Sequence, residues 1–291
     1  MMKKKTTLRI LVGTLVLLAL LLGLEARRCA TQIETVRYTL AGDLSCPIRI
    51  VQLSDLHGQY FGEDNENLVR LVKAENPDLI LMTGDMLDKS QENAEPVLKL
   101  IAALKDTAPI YYCYGNHEKA WENTNGRSLA PALTEAGAIV LDVEYADITL
   151  KGQHLRIGGY HGYWRQPHMF PVTGEQKQAE LEFAASFEQT DRYQILMSHI
   201  PTAWLDWGYI HQYPVDLVLC GHYHGGLVQL PGIGGLIAPY VGLFPEYTEG
   251  LYQGETANCV LSAGLGSNPG LPRLFNPPQL VVVDLEPRQG Q

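Results

Sequence analysis

Apolar positions along this chain follow two rhythms. Short uninterrupted apolar runs, of the kind a strand buried on both faces needs, fall at 48–54, 78–83, 110–114, 193–197 and 216–219. Between them, apolar residues return every third or fourth position, the period of one helix face. Residues 64–75 carry Leu68, Leu71 and Val72 this way before Asn76-Pro77, and residues 92–105 carry Val97, Ile101 and Leu104 before Pro109. Two more helices are predicted, at 128–136 with Gly137 as its stop and at about 176–187. Further strands are expected around 35–39, 138–142, 148–150, 155–160, 228–230, 259–262 and 280–285. Strands alternating with helices from Ile48 onward predict an α/β domain over 48–291, fed by a connector and first strand at 30–47. There is no internal repeat and no low-complexity tail.

Residues 1–29 break this pattern. Lys3, Lys4, Lys5 and Arg9 precede residues 10–24, which are uncharged and mostly Leu and Val. Fifteen residues are short for a spanning helix, which needs roughly 17–25, but flanking side chains can snorkel to make up the length. The segment is read as an uncleaved anchor. The alternative is a signal peptide, with Leu24-Glu25-Ala26 as a mediocre cleavage site, leaving a secreted protein. Four cations before the run outnumber Arg27-Arg28 after it, so the short tail is expected in the cytoplasm and the bulk outside. The expectation is a single-pass cell-membrane protein with an extracytoplasmic domain. The double arginine follows the apolar run, so it is no export signal, and Cys29 lacks the small residues that precede a lipidated cysteine.

Composition narrows the function. An apolar fraction of 46% and a charged fraction of 19% over 291 residues suit a globular domain with ample core. A net charge of −10 turns away nucleic acid. It would also repel a phosphorylated substrate, unless cations at the site invert the local field. Five cysteines, at 29, 46, 113, 220 and 259, imply no disulfide framework; Cys113 and Cys220 fall inside apolar runs and read as buried thiols.

The chemistry sits where the apolar runs stop. Five strands end in metal-capable groups: Asp55 and His57, Asp85, Asn116 and His117, His199, and His222 with His224. Each pattern alone is weak. In an open α/β sheet, however, ligand sites gather at the carboxyl ends of strands, and neighbouring ends lie about 5 Å apart. Residues at i and i+2, such as Asp55 with His57 and His222 with His224, point the same way if extended. Carboxylate, amide and imidazole donors without cysteine suit Mn, Fe, Zn or Ni, with Mn favoured. A pair of such ions about 3.5–4 Å apart can clamp a phosphoryl oxygen. One carboxylate must bridge them from a central strand, and Asp85 is the natural choice.

The series Asp55-Leu56-His57, Gly84-Asp85, Gly115-Asn116-His117-Glu118, His199 and Gly221-His222-Tyr223-His224 resembles the calcineurin-like metallophosphoesterase family. Its blocks occur in order over residues 50–225, and the tail from Gly225-Gly226 to Pro278 is similar to the membrane-associated bacterial branch. The resemblance implies two mixed sheets packed as a sandwich with helices outside. It implies that Asp55, His57, Asp85 and His224 hold one metal, and that Asp85, Asn116, His199 and His222 hold the other. His117 would then be the catalytic residue that protonates the leaving oxygen or steadies the transition state. A hydroxide held between the ions would attack a phosphodiester, pyrophosphate or phosphomonoester. Few Lys or Arg lie near the motifs, which favours the first two. The anchor points to a lipid-linked or cell-envelope substrate. The rival is a silent binding scaffold on the same fold; such proteins usually lose ligands, whereas this chain keeps every one.

Other residues are weighed more plainly. Asp88 is expected to cap the following helix rather than to bind metal, and Glu118 to lie on the surface or orient His117. His154, His168 and His211 have no matching partners and read as ordinary loop or surface residues. His161 follows a strand among aromatics and is a candidate for the substrate pocket. Arg273 is a candidate phosphate contact and Asn276 another, each equally able to serve the fold. Residues 232–247 read either as a surface crossing or as an apolar rim that meets a lipid tail.

Overall fold

A computed structural model describes residues 2–165, 173–267 and 272–288. Helix α1 spans Met2–Thr31. Strands β1 (Glu34–Gly42) and β2 (Ile48–Leu53) follow, then α2 (Glu66–Ala74), β3 (Leu79–Met82), α3 (Glu95–Leu104) and β4 (Ile110–Cys113). Next come α4 (Asn116–Asn125), α5 (Ala130–Ala136), β5 (Ala138–Leu141), β6 (Glu144–Leu150) and β7 (Gln153–Tyr160). Helix α6 (Gly174–Phe187) leads to β8 (Tyr193–Ser198) and β9 (Val215–Cys220). Two small hairpins follow, β10 (Gln229–Leu230) with β11 (Gly234–Gly235) and β12 (Ile237–Ala238) with β13 (Gly242–Leu243). Strands β14 (Gly250–Gln253), β15 (Ala257–Leu261) and β16 (Gln279–Pro287) complete the chain.

Two six-stranded mixed sheets form the sandwich, in the orders β1-β16-β2-β3-β4-β5 and β14-β15-β9-β8-β7-β6. The inner strands β2 to β5 pair in parallel, as do β7, β8 and β9. Their apolar runs are continuous because both faces are covered. On one face of the first sheet, Val51, Leu53, Ile80 and Met82 meet Leu68 and Val72 of α2 and Leu100, Ile101 and Leu104 of α3. On the other, Ile50, Leu79 and Leu81 meet Ile157, Ile195, Leu217 and Leu219 of the second sheet. The outer face of that sheet packs Leu196 and Val218 under Phe183, Ala184 and Phe187 of α6, together with Trp164 and Trp204. Each fully buried side chain of this size contributes roughly 1.5–3 kcal/mol.

The expected α/β sandwich flanked by helices is the fold observed. Helix α4 was not anticipated, because its sequence NHEKAWENTN offers too few apolar positions to show a helical period. Cys113 and Cys220 are buried as expected. Strand β1 is an integral part of the first sheet, pairing with β16 along its full length from Glu34↔Gln279 to Gly42↔Pro287. Helix α1 from Thr7 to Thr31 is long and apolar enough to cross a membrane and its apolar stretch is unburied, a description that fits an anchor or a signal sequence.

Candidate metal centre

The parallel strands of both sheets end on the same side of the molecule. Beyond β2 lie Asp55 and His57, beyond β3 Asp85, beyond β4 Asn116 and His117, beyond β8 His199, and beyond β9 His222 and His224. Three of these ends belong to one sheet and two to the other. Hydrogen bonds tie the loops together. The amides of Asp55 and His57 donate to the carbonyls of Gly84 and Asp85, each at 3.0 Å, and Gly221 N donates to His199 O at 3.0 Å. The His222 amide donates to Asp55 Oδ1 at 3.0 Å, joining the two sheets.

The backbone does not continue extended past the strands. Asp55, His57, Asp85, His222 and His224 have φ of 54, 48, 52, 72 and 50°, in the left-handed region that L-residues avoid. The expected extended geometry is thus replaced by tight turns, which bring Asp55 and His57 into one donor group and send His222 and His224 to different ones. Neighbouring glycines make room. Gly84 has φ +92°, and a Cβ there would stand 2.6 Å from Gly115 N and 2.8 Å from His199 Nδ1. A Cβ on Gly115 would strike the Asp85 carboxylate, and one on Gly221 the Asp55 carboxylate.

Two clusters of donors from the strand ends result, one from Asp55, His57 and His224 and one from Asp85, His199 and His222, and a third group, His57 with Asp88 and His117, adjoins the first. Asp85 stands between the first two. Its Oδ2 lies 3.2 Å from His199 Nε2, 3.9 Å from His57 Nε2 and 4.0 Å from His117 Nε2. Its Oδ1 accepts the His117 amide at 2.8 Å, at the N-terminus of α4, where the helix dipole favours an anion. Across the site, His57 Nε2 and His224 Nε2 approach to 3.3 Å. Asn116 Oδ1, His57 Nδ1, His222 Nε2 and His224 Nδ1 are buried with no hydrogen-bonding partner. Such orphaned lone pairs are costly unless a cation completes them. The residues therefore fit divalent metal. His199 Nδ1 donates to Thr83 O at 2.8 Å, which leaves Nε2 facing Asp85.

Electrostatics follows from burial. Burial and the nearby histidine charges push His222 down to about 3, and the same causes hold His224 well below its usual range, so both present neutral lone pairs. Burial pulls His199 down as well, but the Asp85 charge outweighs it and raises His199 to about 10. Asp85 itself is held well below the carboxylate range, its burial outweighed by His199, His57 and His117.

Several neighbours escaped the sequence reading. Asp88 does not cap a helix: α3 starts only at Glu95, with no side-chain cap, and Asp88 Oδ1 accepts the Ser90 amide at 2.8 Å. Its Oδ2 lies 3.2 Å from His117 Nδ1 and 3.7 Å from His57 Nδ1. Lys89 N donates to His117 Nδ1 at 3.1 Å, and Lys89 also lines the open cavity of about 500 Å³ above the site, with Asn116, His117, His222, His224 and Tyr240. The Tyr240 ring stacks over His222, with centroids 5.3 Å apart and planes 13° apart.

Glu118 neither lies on the surface nor touches His117. Fully buried, it accepts the amides of Asp85, Met86 and Gly115 at 2.9, 2.8 and 2.8 Å and the Tyr112 hydroxyl at 2.7 Å. It clamps the turn that presents Asp85. The Gly-x-x-Glu spacing of a helix start was the available signal. Glu118→Ala leaves these donors without an acceptor and should cost about 3 kcal/mol or more, read as a lower midpoint of chemical unfolding. A loss under about 1 kcal/mol would refute the clamp.

The remaining candidates lie elsewhere. Arg273 is not at the cavity. Its buried guanidinium donates to the carbonyls of Ala263 and Gly266 and to Asn276 Oδ1, and burial lowers it to about 10. Asn276 Nδ2 in turn donates to His224 O at 2.7 Å, so both residues brace the loops under the site. His161 Nδ1 lies 3.2 Å from Asp142 Oδ1, and its ring stacks on Tyr160. It stands beyond the end of β7, outside the cavity lining. His154 is exposed beside Thr149, and His211 is exposed beside Glu255. His168 lies outside the described residues.

Comparison with known proteins agrees with this geometry. The chain is 29% identical over 263 residues to the metallophosphoesterase YkuE of Bacillus subtilis, covering 87% of this chain and 86% of that protein. It is 26% identical over 257 residues to phosphodiesterase YaeI of Escherichia coli, covering 87% and 88%. Among solved structures, phosphopantetheinyl hydrolase from Mycobacterium tuberculosis matches with a TM-score of 0.45 and 14% identity over 75% of this chain and 89% of that one. A family model described as calcineurin-like phosphoesterase matches residues 48–226. The chain belongs to the calcineurin-like phosphoesterase family and is a metal-dependent phosphohydrolase.

Proposed function

We propose that the chain holds two divalent ions and hydrolyses a phosphodiester or pyrophosphate, with a phosphomonoester as the less favoured substrate. Asp55, His57, Asp85 and His224 would hold one ion, and Asp85, Asn116, His199 and His222 the other. The observation that carries this reading is Asp85 Oδ2, placed within 4 Å of imidazoles from both donor clusters. Bound cations would neutralise phosphoryl charge and make water acidic enough to attack at neutral pH. The chain's own residues do the rest. Asn116, His222 and His224 line the cavity. His117, also in the cavity lining, would hand a proton to the leaving oxygen through Nε2. Burial holds His117 below its ordinary range, and the Asp88 charge, 3.2 Å from Nδ1, pulls it back toward the imidazolium that such a donor requires. Lys89 gives the mouth one cationic side chain to meet a second phosphate or an anionic neighbour.

In this reading, residues 1–29 are an anchor, 30–47 a connector carrying β1, and 48–291 the catalytic domain, held outside a cell membrane. A lipid-linked or cell-envelope phosphoester is the substrate class we favour. YaeI, a relative at 26% identity, is named a phosphodiesterase, which supports the choice of bond.

The test uses the full chain in detergent, stripped of metal and reloaded with Mn. Elemental analysis should find about two ions per chain. Hydrolysis is assayed on aryl phosphodiesters, aryl phosphomonoesters and an amphiphilic pyrophosphate; failure on all of them, with metal bound, sinks the proposal. Metal should also stabilise the fold. At a concentration about 100-fold above Kd, binding contributes about 2.7 kcal/mol, so calorimetry should show a higher Tm with Mn and its loss on chelation. An unchanged Tm would mean that the donor clusters bind no ion.

A further inference from the structure

We propose that the apolar rim of the cavity, residues 233–244 together with Phe275, rests in the headgroup layer of the membrane that α1 crosses, so that the site opens at the bilayer surface. This rests on reading α1 as an uncleaved anchor. The exposed apolar side chains of α1 run from Leu8 to Leu24 and end at Glu25, which fixes the membrane boundary there. The catalytic domain is docked at that same level. Glu25 Oε1 accepts the Phe275 amide at 3.2 Å, Arg28 bonds both Glu25 and Glu34, and Gln59, two positions past His57, donates to Ala30 O at 2.9 Å. Cys29 is buried between them.

From Phe275 a connected set of contacts leads to the cavity mouth. Asn276 holds His224 O and Leu227 O, and Gln229 N donates to Leu274 O at 2.9 Å. Leu236 N donates to Gly226 O at 3.1 Å, and Phe244 N to Leu236 O at 2.9 Å. The β12–β13 hairpin built this way carries Tyr240 over His222. Its outer surface is apolar and open: Ile233 is 70% exposed, Tyr240 73%, Leu243 66% and Phe244 57%, with Phe275 at 42%. Residues 231–245 contain no charged side chain. A water-facing loop of this length normally carries charge, and exposed apolar residues normally lie scattered. Here they fall together in one uncharged loop that hydrogen bonds link, through Phe275, to the end of the apolar helix, which is the composition of a bilayer-seated surface. A phosphoester with an acyl or prenyl tail could then present its head to the cavity while the tail stays in lipid.

The experiment uses the full chain in lipid nanodiscs. Cys46 is partly exposed and the other four cysteines are buried, so Cys46→Ser gives a quiet background for Leu243→Cys, Phe244→Cys or the control Asp106→Cys. Asp106 is exposed and precedes β4, at the opposite end of the strands from the site. Each single cysteine carries an environment-sensitive fluorophore, and nitroxides are placed on the lipid headgroup or high on the acyl chain. Labels at 243 and 244 should be blue-shifted and lose about half or more of their emission to the nitroxides, while the label at 106 stays unquenched. Labels at 243 and 244 as wet as the one at 106 would overturn the inference. So would a blue shift without quenching by lipid, which would mark a second copy or another protein on the rim. Failure of the chain to stay with the nanodiscs would overturn it too, through the anchor reading. Turnover of a soluble aryl phosphodiester, measured on the same samples, reports separately on the catalytic proposal.

Discussion

Asp85→Asn is expected to lower hydrolysis by more than about 10³-fold, the scale on which a group stabilising transition-state charge is felt, and to reduce bound metal below the wild-type content. The amide keeps the shape and can still accept the His117 amide bond that Asp85 Oδ1 accepts now. It cannot supply the anion that Oδ2 offers to His199 and His57. Elemental analysis beside steady-state rates gives the result, with circular dichroism to confirm the fold. Full metal content with only a small rate loss would remove Asp85 from the bridging role. Alanine is a poorer test, because it also strips an acceptor from the N-terminus of α4.

The second large effect is expected at His117. His117→Ala should keep its metals and lose about 10²–10⁴-fold in rate, the usual contribution of a positioned proton donor. The signature is dependence on the leaving group. An alcohol that leaves poorly needs the proton and should suffer the whole loss, whereas a nitrophenolate that leaves without help should suffer much less. Asp88→Asn should shift the rate in the same direction, since Asp88 holds the imidazole from Nδ1. A metal-free His117→Ala protein would assign the residue to metal binding instead. An equal loss for good and poor leaving groups would leave it a positioning residue only.

These two residues were legible because each follows an apolar run that stops abruptly. Asp85 comes after Leu79–Met82 and His117 after Ile110–Cys113, and a strand buried on both faces has few other ways to end. What could not be read is how the ends meet. Nothing in the apolar runs says that His199 and His222 hang from a second sheet, facing three ends of the first. Nor does a local pattern reveal a buried charge. Glu118 reads as a surface acid until the three amides it accepts are seen, and Asp88 reads as a cap until α3 is found to begin seven residues later, at Glu95. Arg273 misled in the opposite sense. A cation in a turn-rich stretch suggests phosphate, but its donors face inward to main-chain carbonyls. Lys89, four residues past Asp85, shows that a cation does reach the mouth although few lie near the motifs.

The left-handed turns at Asp55, His57, Asp85, His222 and His224 bear on how this protein can evolve. At the low end of about 1 kcal/mol each, they withhold some 5 kcal/mol from the fold, a sum comparable to the net stability of many domains. In the proposed reading, selection for turnover is what keeps these side chains in place. In a lineage released from that selection, glycine at 57, 85, 222 or 224 would relieve the backbone and remove a buried polar group in one step. On that reading loss of catalysis on this scaffold is a downhill walk, and its descendants should be recognisable by glycines at the positions proposed as ligands and by a higher melting temperature than their metal-free ancestor.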